Sequence, residues 1–405
     1  MADPNVAAVF DATFVVDGLE VRAAILERAP GGWTILEAKG ANSVGEAHER
    51  EVAAVAWVAV AAGVPVVGRR ILHLDADYVR EAELDARALF VTVNVPARDF
   101  TSAWEALFEV LACAEEPQDL PGGHCTFPRE CPFRAHCTPV SGPWSLARLP
   151  RAGRLVAELT ELGIDDVRRI PNHVRMNPAQ QHAVWALVNG REYIGQGLRS
   201  ALQNVRWPLR FLDFEACQPA VPRWPETSPF QQLPTQWSMH VLYEDGREEH
   251  REFLHREDSD PRWPFVHSLV EAAGAEGTIV VYSGYEATTL RALRDRTPEL
   301  WSDLEGLIGR IFDLLPVIRD HYYHPALDGS FSIKAVLPAV CPDVGYADLE
   351  VHDGARAAQE WLRMISANTP ADERERIASA LLKYCERDTW AMLRVREALL
   401  QRAGG

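Results

Sequence analysis

Residues 209–215 place two acids, Asp213 and Glu215, inside an apolar run whose composition predicts a strand. Because side chains alternate along a strand, both carboxylates are expected on one face, while Leu212 and Phe214 pack on the other. Two carboxylates side by side repel each other and lose hydration, and a bound cation removes that cost. The segment therefore predicts a cation site, and the alternative is a pair of acids at an exposed sheet edge.

The composition limits the class of protein. The chain has 405 residues, a length typical of two or three domains. It is 47% hydrophobic and 24% charged, which indicates a folded rather than a disordered chain. Its 41 Lys and Arg against 58 Asp and Glu give a net charge of −17, which argues against a broad electrostatic contact with nucleic acid. An enzyme that takes a nucleic-acid end into a local cleft is still compatible with that charge.

The sequence also predicts a location. It has no apolar run of about 18 residues, so we expect no membrane span and no membrane partner. The first residues lack a basic stretch followed by an apolar core, so no secretory signal is predicted. Seven cysteines, four of them within residues 113–137, do not suggest a disulfide scaffold in a chain of this length. A reducing compartment, the cytoplasm, is the expectation.

Residues 1–140 predict one α/β domain. The turn Asp17-Gly18 separates two strand-like runs and predicts a hairpin. Gly63 and Pro65 end a long helix rich in Ala and Val. The predicted strands cover residues 10–16, 19–26, 33–38, 66–74 and 90–95, and the predicted helices cover residues 43–62 and 100–114.

Glu37 and Lys39 lie at the end of the third predicted strand. A sheet, a Glu-x-Lys pair and a following helix resemble the PD-(D/E)xK nucleases of the RecB type, which implies a restriction-endonuclease-like α/β fold. In that family an Asp on the preceding strand and the Glu hold a metal, and the Lys polarises the attacking water. Ala24 stands where the Asp is expected, and the helix from Glu51 to Trp57 lacks the usual Gln. Because losing a carboxylate weakens a hard-cation site, we expect a degenerate, inactive nuclease domain.

Two other interpretations of Glu37 and Lys39 stay open. They could be an ordinary pair at a strand end, with no chemistry. They could also retain nuclease activity despite Ala24, in which case activity would survive Asp213→Asn and be lost in Lys39→Ala.

A cysteine cluster closes this region. Three cysteines follow one another with five residues between each pair, namely Cys125, Cys131 and Cys137. The pattern resembles the C-terminal part of the iron–sulfur staple of some RecB-like nucleases, whose fourth Cys comes from near the N-terminus, where this sequence has none. A fourth ligand could come from Cys113, His124 or His136. The options are a 4Fe–4S cluster, a structural Zn²⁺, or free thiols.

Residues 141–207 predict a helical linker after a stretch punctuated by prolines. Short helices are expected over residues 155–163, 164–170 and 177–189. Residues 159–170 resemble one helix-hairpin-helix repeat, which can bind a phosphate backbone through amides of its turn. A simple helical spacer is the alternative.

Residues 208–405 predict an α/β domain with a mixed sheet flanked by helices. After the strand that carries Asp213, two strands at residues 235–243 and 248–254 pair across a turn. A helix at residues 264–273, a strand at 278–282, a helix at 286–294 and a strand at 311–314 follow. This order resembles that of an RNase H-like fold.

Two further acids occupy unusual positions in that domain. Glu286 begins a helix directly after a strand. Tyr384 and Asp388 are four residues apart, hence on one face of a predicted helix, and that face includes an apolar stripe. An acid on an inward stripe needs a partner, which is either a cation or a cap or ion pair within the core.

Together these residues resemble the DEDD exonucleases, the DnaQ-like proofreading and RNA-processing enzymes. Asp213 and Glu215 match the first motif, Glu286 the second, where most relatives have Asp, and Tyr384 with Asp388 the third. The resemblance implies hydrolysis of phosphodiester bonds in the 3′–5′ direction with two Mg²⁺ or Mn²⁺ ions held by the four acids. Tyr384 would orient the attacking water. A further segment, Asp313 and residues 330–334, resembles the region between motifs two and three, which implies that Asp313 either has a structural role or supports the metal ligands from behind.

The whole chain also resembles a bacterial family of unassigned function that joins a RecB-like region, a three-Cys segment and an exonuclease-like domain. The sequence thus predicts a metal-dependent exonuclease acting on a 3′ end of single-stranded DNA or RNA. The rival prediction is a catalytically inactive module that binds nucleic acid or protein.

Overall fold

A computed structural model describes residues 5–116, 125, 131–137 and 142–404. The chain divides into two compact units. The first consists of Met1–Cys137 with Gln218–Gln231, and the second of Thr138–Cys217 with Gln232–Gly405. No helix in the described part of the chain has the length and apolar character needed to cross a membrane.

The first unit contains one five-stranded sheet. Its strands are β1 (Ala8–Val16), β2 (Leu19–Ala29), β3 (Gly32–Lys39), β4 (Val66–Leu74) and β5 (Phe90–Asn94), and they neighbour one another in that order. Its helices are α1 (Glu46–Ala61), α2 (Thr101–Ala112) and the short α3 (Arg134–Cys137).

The predicted hairpin of this unit is present, and its long helix joins two parallel strands. Asp17 and Gly18 both have positive φ, 48° and 82°, so they form the tight turn between β1 and β2. β3 and β4 run parallel and are joined through α1, whose buried face packs on the sheet around Leu26 and Ile35. The five strands and two longer helices match the predictions to within a few residues at their ends.

The second unit begins with helices and continues into a second sheet. Its helices are α4 (Gly153–Glu161), α5 (Pro178–Asn189), α6 (Leu198–Gln203), α7 (Arg262–Ala273), α8 (Tyr285–Arg294), α9 (Trp301–Ile308), α10 (Leu314–His321), α11 (Ile333–Val340), α12 (Gly354–Met364) and α13 (Ala371–Arg402). Its strands are β6 (Tyr193–Ile194), β7 (Leu209–Cys217), β8 (Leu233–Leu242), β9 (Glu248–Leu254), β10 (Thr278–Val281), β11 (Ile311–Asp313) and β12 (Tyr322–Tyr323).

The main sheet of the second unit is mixed, as predicted. Its order is β11-β10-β7-β8-β9, and β6 pairs separately with β12. β7, β8 and β9 are antiparallel, whereas β10 runs parallel to β7 and β11 parallel to β10. The α/β class with helices flanking a mixed sheet is therefore confirmed.

Successive side chains of β7 point to opposite faces of the sheet, and each face packs in a different hydrophobic core. Leu212 and Phe214 pack against α7, α8 and α9 on one face. Phe211 packs on the other face with residues of α11 and α13. Asp213 and Glu215 share the face of Phe211, which is the face predicted from the sequence.

The helical linker differs from the prediction. Leu198 and Leu202 of α6 are fully buried in the same core as Phe211, so residues 142–207 are part of the second unit rather than a spacer. Their apolar faces could not be assigned to a partner from sequence alone, because that assignment requires the tertiary packing.

The helix predicted over residues 164–170 was wrong. Only the single turn Val167–Arg169 forms there, in the tighter 3₁₀ geometry, with the Asp166 carboxylate accepting from the amide of Arg168. Pro171 follows directly and disfavours helical backbone at Ile170. The helix-hairpin-helix resemblance thus lacks its second helix.

Gly277 allows the backbone before β10 to lie close to the backbone before β7, and a substitution tests this close contact. Its φ is +83°, and a Cβ at this position would lie 2.1 Å from the carbonyl oxygen of Pro208. Gly277→Ala combines that overlap with a strained backbone, so we expect a loss of about 3 kcal/mol in the free energy of unfolding. Denaturant unfolding measures it.

Gly306→Ala is the matched control for this substitution. Gly306 lies within α9, and a Cβ there meets nothing within 4 Å. Alanine favours helix, so this variant should be neutral or more stable by about 0.5–1 kcal/mol. Equal stabilities of the two variants would contradict the close approach at Gly277.

Candidate functional site

Four of the predicted site residues converge where β7 faces α13. Asp213 and Glu215 project from β7, and Asp388 projects from α13. One carboxylate oxygen from each of these three residues lies within 4.8 Å of the other two. Tyr384, one turn before Asp388 on α13, is buried beside them.

The position of α13 over the sheet depends on its apolar stripe. Leu381, Cys385 and Met392 are all at most 1% exposed, as the stripe predicted. A buried side-chain amide adds a polar contact, since Gln236 Nε2 on β8 donates to the carbonyl of Leu381 at 2.9 Å. The Cys385 thiol lies 3.6 Å from Asp213 Oδ2, so helix and strand also touch at the site itself.

Glu286 reaches the same group from the start of α8. It is 3% exposed, and its Oε2 is buried without a hydrogen-bond partner. Burial, with repulsion from Asp313, raises the pKa of Glu286 to about 7, although hydrogen bonds from its own amide, Asp213 and Ser283 act in the opposite direction. The structure therefore brings Glu286 into contact with Asp213, although it lies outside the tightest group of three.

Burial raises the pKa values of the carboxyl groups, and repulsion between acids adds to this at Asp213 and Glu215. Burial, and then repulsion from Asp388, raises the pKa of Glu215 to about 8. The same causes, with Glu286 and Glu215 added, raise the pKa of Asp213 well above its ordinary range. Burial also raises the pKa of Asp388. The site thus concentrates negative charge that only a cation or bound protons can balance.

Sequence reasoning missed two residues that act on these acids, one through its charge and one through a hydrogen bond. Lys334 Nζ donates to the Tyr384 hydroxyl at 3.0 Å, and its charge lowers the pKa of both Glu215 and Asp388. Tyr346 donates its hydroxyl proton to Asp388 Oδ1 at 2.5 Å. Lys334 ends a segment that the sequence had already singled out, whereas Tyr346 lies in an irregular loop and gave no signal.

A cleft of about 740 Å³ opens onto the acids. Asp213, Glu286 and Asp388 form part of its floor. The rest of the lining combines aliphatic side chains and a fourth acid, Asp328, with three aromatic residues, three serines and one arginine, namely Tyr282, Tyr285, Phe331, Ser283, Ser330, Ser332 and Arg151. The acids are therefore reachable by a ligand of moderate size.

Asp313 has the structural role that the sequence predicted. Its carboxylate caps α10 by accepting from the amide of Leu315 at 3.0 Å. It lies near enough to raise the pKa of Glu286, so it also adds to the negative charge of the site.

Glu37 and Lys39 of the first unit each bind another residue of the same unit. Glu37 is 7% exposed and accepts from the amide of Ala24 at 2.9 Å, where the sequence lacks the expected acid. Lys39 binds Glu51 of α1 at 2.7 Å. Among the described residues, the groups of three ligands that could hold an ion do not include Glu37.

The cysteine cluster does not form a ligand group in the described part of the chain. Cys125 is buried, Cys131 is half-buried, and Cys113 and Cys137 are exposed. Neither group of three converging ligands includes a cysteine. His136 binds Glu116 at 2.7 Å, and His124 lies outside the described residues. An iron–sulfur or zinc site here stays a prediction.

Comparisons with known proteins find a similarity over part of the chain. A family model described as "Domain of unknown function (DUF2779)" matches residues 210–332, which include Asp213, Glu215 and Glu286. No curated protein and no solved structure matches the chain. The segment is thus similar to a family of unknown function, and the RecB-like and DnaQ-like resemblances stay predictions.

The carboxyl cluster makes stability depend on pH when metal is absent. Below about pH 3, which is under the ordinary pKa values of Asp and Glu, the four groups are protonated in both the folded and the unfolded chain. From there to about pH 8, the pKa of Glu215, the unfolded chain releases protons that the folded site retains, so stability falls. In EDTA we expect the melting temperature to fall by about 4–8 °C over this range, equivalent to about 2 kcal/mol.

Asp213→Asn is the control, because the other titrating groups are shared with the wild type. The amide has the shape of the carboxyl without its charge, so the fall with pH should be smaller in this variant. Scanning calorimetry of both proteins in EDTA measures the difference. Parallel curves would show that the carboxyls do not repel one another in the folded protein.

Proposed function

We propose that the protein is a metal-dependent exonuclease that hydrolyses phosphodiester bonds of single-stranded DNA or RNA. The observation that carries this proposal is the convergence of Asp213, Glu215 and Asp388 within 4.8 Å, beside buried Glu286. The 3′–5′ direction and the RNase H-like assignment come from the resemblance to the DEDD exonucleases.

The donor set fits a pair of hard cations. Carboxylate oxygens are the ligands preferred by Mg²⁺ and Mn²⁺. Glu286 Oε2 is buried without a partner, a cost that coordination would remove. Asp213, Glu215, Glu286 and Asp388 would hold the ions, which would supply an activated water and neutralise charge on the scissile phosphate.

The neighbouring side chains would orient the reaction. Burial, together with Glu215, Asp388 and Asp213, raises the pKa of Tyr384 above its ordinary value, so its hydroxyl keeps its proton. Because Tyr384 accepts from Lys334, its own proton is available to a water or a phosphate oxygen. Tyr384 therefore positions by hydrogen bonding, and it does not act as the base.

The cleft suits an unpaired strand better than a duplex. Tyr282, Tyr285 and Phe331 line it and could stack on bases without regard to their identity. Arg151 and Lys334 offer positive charge near the acids for the phosphate backbone. Local contacts of this kind are compatible with the net charge of −17.

Asp213→Asn tests the activity. We expect the wild type to shorten end-labelled single strands with Mn²⁺ present, and the variant to lose at least about 100-fold in rate because it loses a shared metal ligand. Gel analysis of 3′- and 5′-labelled DNA and RNA gives rate, direction and sugar preference. Lys39→Ala, in the first unit, should leave the rate unchanged.

Two outcomes would overturn this assignment in different ways. Full activity in Asp213→Asn with loss in Lys39→Ala would move the chemistry to Glu37 and Lys39. No activity in the wild type, together with no saturable Mn²⁺ binding in calorimetry, would favour an inactive binding module.

Tyr384→Phe tests the positioning role. The phenylalanine keeps the packing under α13 but loses the hydroxyl, so kcat should fall about 100-fold while Mn²⁺ affinity stays within a factor of about two. Single-turnover rates and calorimetry separate the two effects. Loss of Mn²⁺ binding in this variant would show that Tyr384 supports the metal ligands rather than the reacting water.

A further inference from the structure

A second group of potential ligands lies on the same sheet face as the acids, on the two strands β8 and β9 beyond β7. His240 on β8 and His250 on β9 are directly paired across the sheet, with ring centroids 4.6 Å apart. Glu386 on α13 completes the group, and one ligand atom from each residue lies within 4.8 Å of the others. His240 is 6% exposed, whereas Glu386 is exposed at the surface.

Two hydroxyl groups connect the imidazoles beneath α13. Thr389 Oγ1 contacts His240 Nδ1 at 2.8 Å and Ser238 Oγ at 2.9 Å. Ser238 Oγ contacts His250 Nε2 at 2.9 Å. Thr389 Oγ1 also lies 3.0 Å from the carbonyl oxygen of Glu386. Ser238 and Thr389 are fully buried, so these contacts are their means of satisfying polar atoms.

The protons in this chain can be placed by counting donors. A carbonyl oxygen can only accept a hydrogen bond, so the Thr389 hydroxyl donates its one proton to the backbone carbonyl of Glu386. The Thr389 oxygen must then accept from both Ser238 Oγ and His240 Nδ1. Ser238 therefore donates its one hydroxyl proton to Thr389, and its oxygen accepts a hydrogen bond from His250 Nε2.

Both imidazoles therefore donate through one nitrogen, and in a neutral ring the other nitrogen keeps a lone pair. In neutral rings the lone pairs belong to His240 Nε2 and His250 Nδ1. His250 Nδ1 lies 3.9 Å from Glu386 Oε1, so a neutral His250 places two acceptors opposite each other. Burial, His250 and Arg394 lower the pKa of His240 to about 4, in keeping with a neutral ring.

From this arrangement we infer that His240, His250 and Glu386 bind a Zn²⁺-class transition-metal ion. Metal-binding histidines typically donate their second ring nitrogen to a fixed acceptor, as both do here. Two imidazole nitrogens and one carboxylate suit Zn²⁺ or Co²⁺, whereas Mg²⁺ and Mn²⁺ prefer the all-oxygen group around Asp213. The ion would fasten α13, which carries Asp388, to β8 and β9.

The competing arrangement needs no ion. A second proton on His250 would form an ordinary ion pair with Glu386. The two arrangements differ in their response to Co²⁺, whose visible absorption reports nitrogen ligands and which Zn²⁺ displaces.

Titration of the full-length protein with Co²⁺ tests the inference. We expect one equivalent of Co²⁺ to give a saturable visible spectrum that Zn²⁺ abolishes, and Zn²⁺ at about 100 times its dissociation constant to raise the melting temperature by about 5–10 °C. His250→Gln and Glu386→Gln should each weaken Co²⁺ binding at least tenfold and remove the thermal shift. Asp213→Asn should retain both.

His267→Gln is the matched control, because His267 is an exposed histidine on α7 outside the group. It should bind Co²⁺ as the wild type does. Glu386 is exposed, so its Gln variant should fold even if His250→Gln does not. An unchanged spectrum in Glu386→Gln, loss of the spectrum in Asp213→Asn, or no saturable binding in the wild type would each overturn the inference.

Discussion

Repulsion among buried carboxyl groups is the constraint around which the second unit is arranged. Asp213 and Glu215 share one face of β7, and α13 brings Asp388 against them. Burial, and then repulsion from the neighbouring acids, raises the pKa values of Asp213 and Glu215, so the folded chain holds this site at a cost in free energy. A chain selected for stability alone would place apolar or paired side chains here, and the cost therefore points to function.

The sheet provides the rigidity that this repulsion requires. β7 lies in the middle of the five strands, and the opposite face of the sheet is a closed apolar core around Leu212 and Phe214. The acids therefore cannot separate by bending the strand without opening that core. Lys334 and Tyr346 relieve part of the charge from the open side. Bound cations can balance the negative charge that remains.

Sequence reasoning predicted the parts of this site that depend on local geometry. The shared face of Asp213 and Glu215 follows from strand alternation, and the inward position of Asp388 follows from the helical stripe. The pairing of Asp213 with Asp388 came from a family resemblance, since no local rule joins residues 175 positions apart. Tyr346 was missed because its loop has no periodicity. The 141–207 linker was misjudged because its partner surface exists only in the folded unit.

The described ligand groups also imply a thermodynamic link through α13. Asp388 faces β7 and Glu386 approaches β9, only two residues apart on one helix. An ion at either group stabilises the same placement of that helix, so binding at one lowers the cost of ordering the other. The coupling must be reciprocal, because both ions act on one equilibrium. The first unit offers no comparable arrangement among its described residues, since Glu37 is satisfied by the Ala24 amide and Lys39 by Glu51.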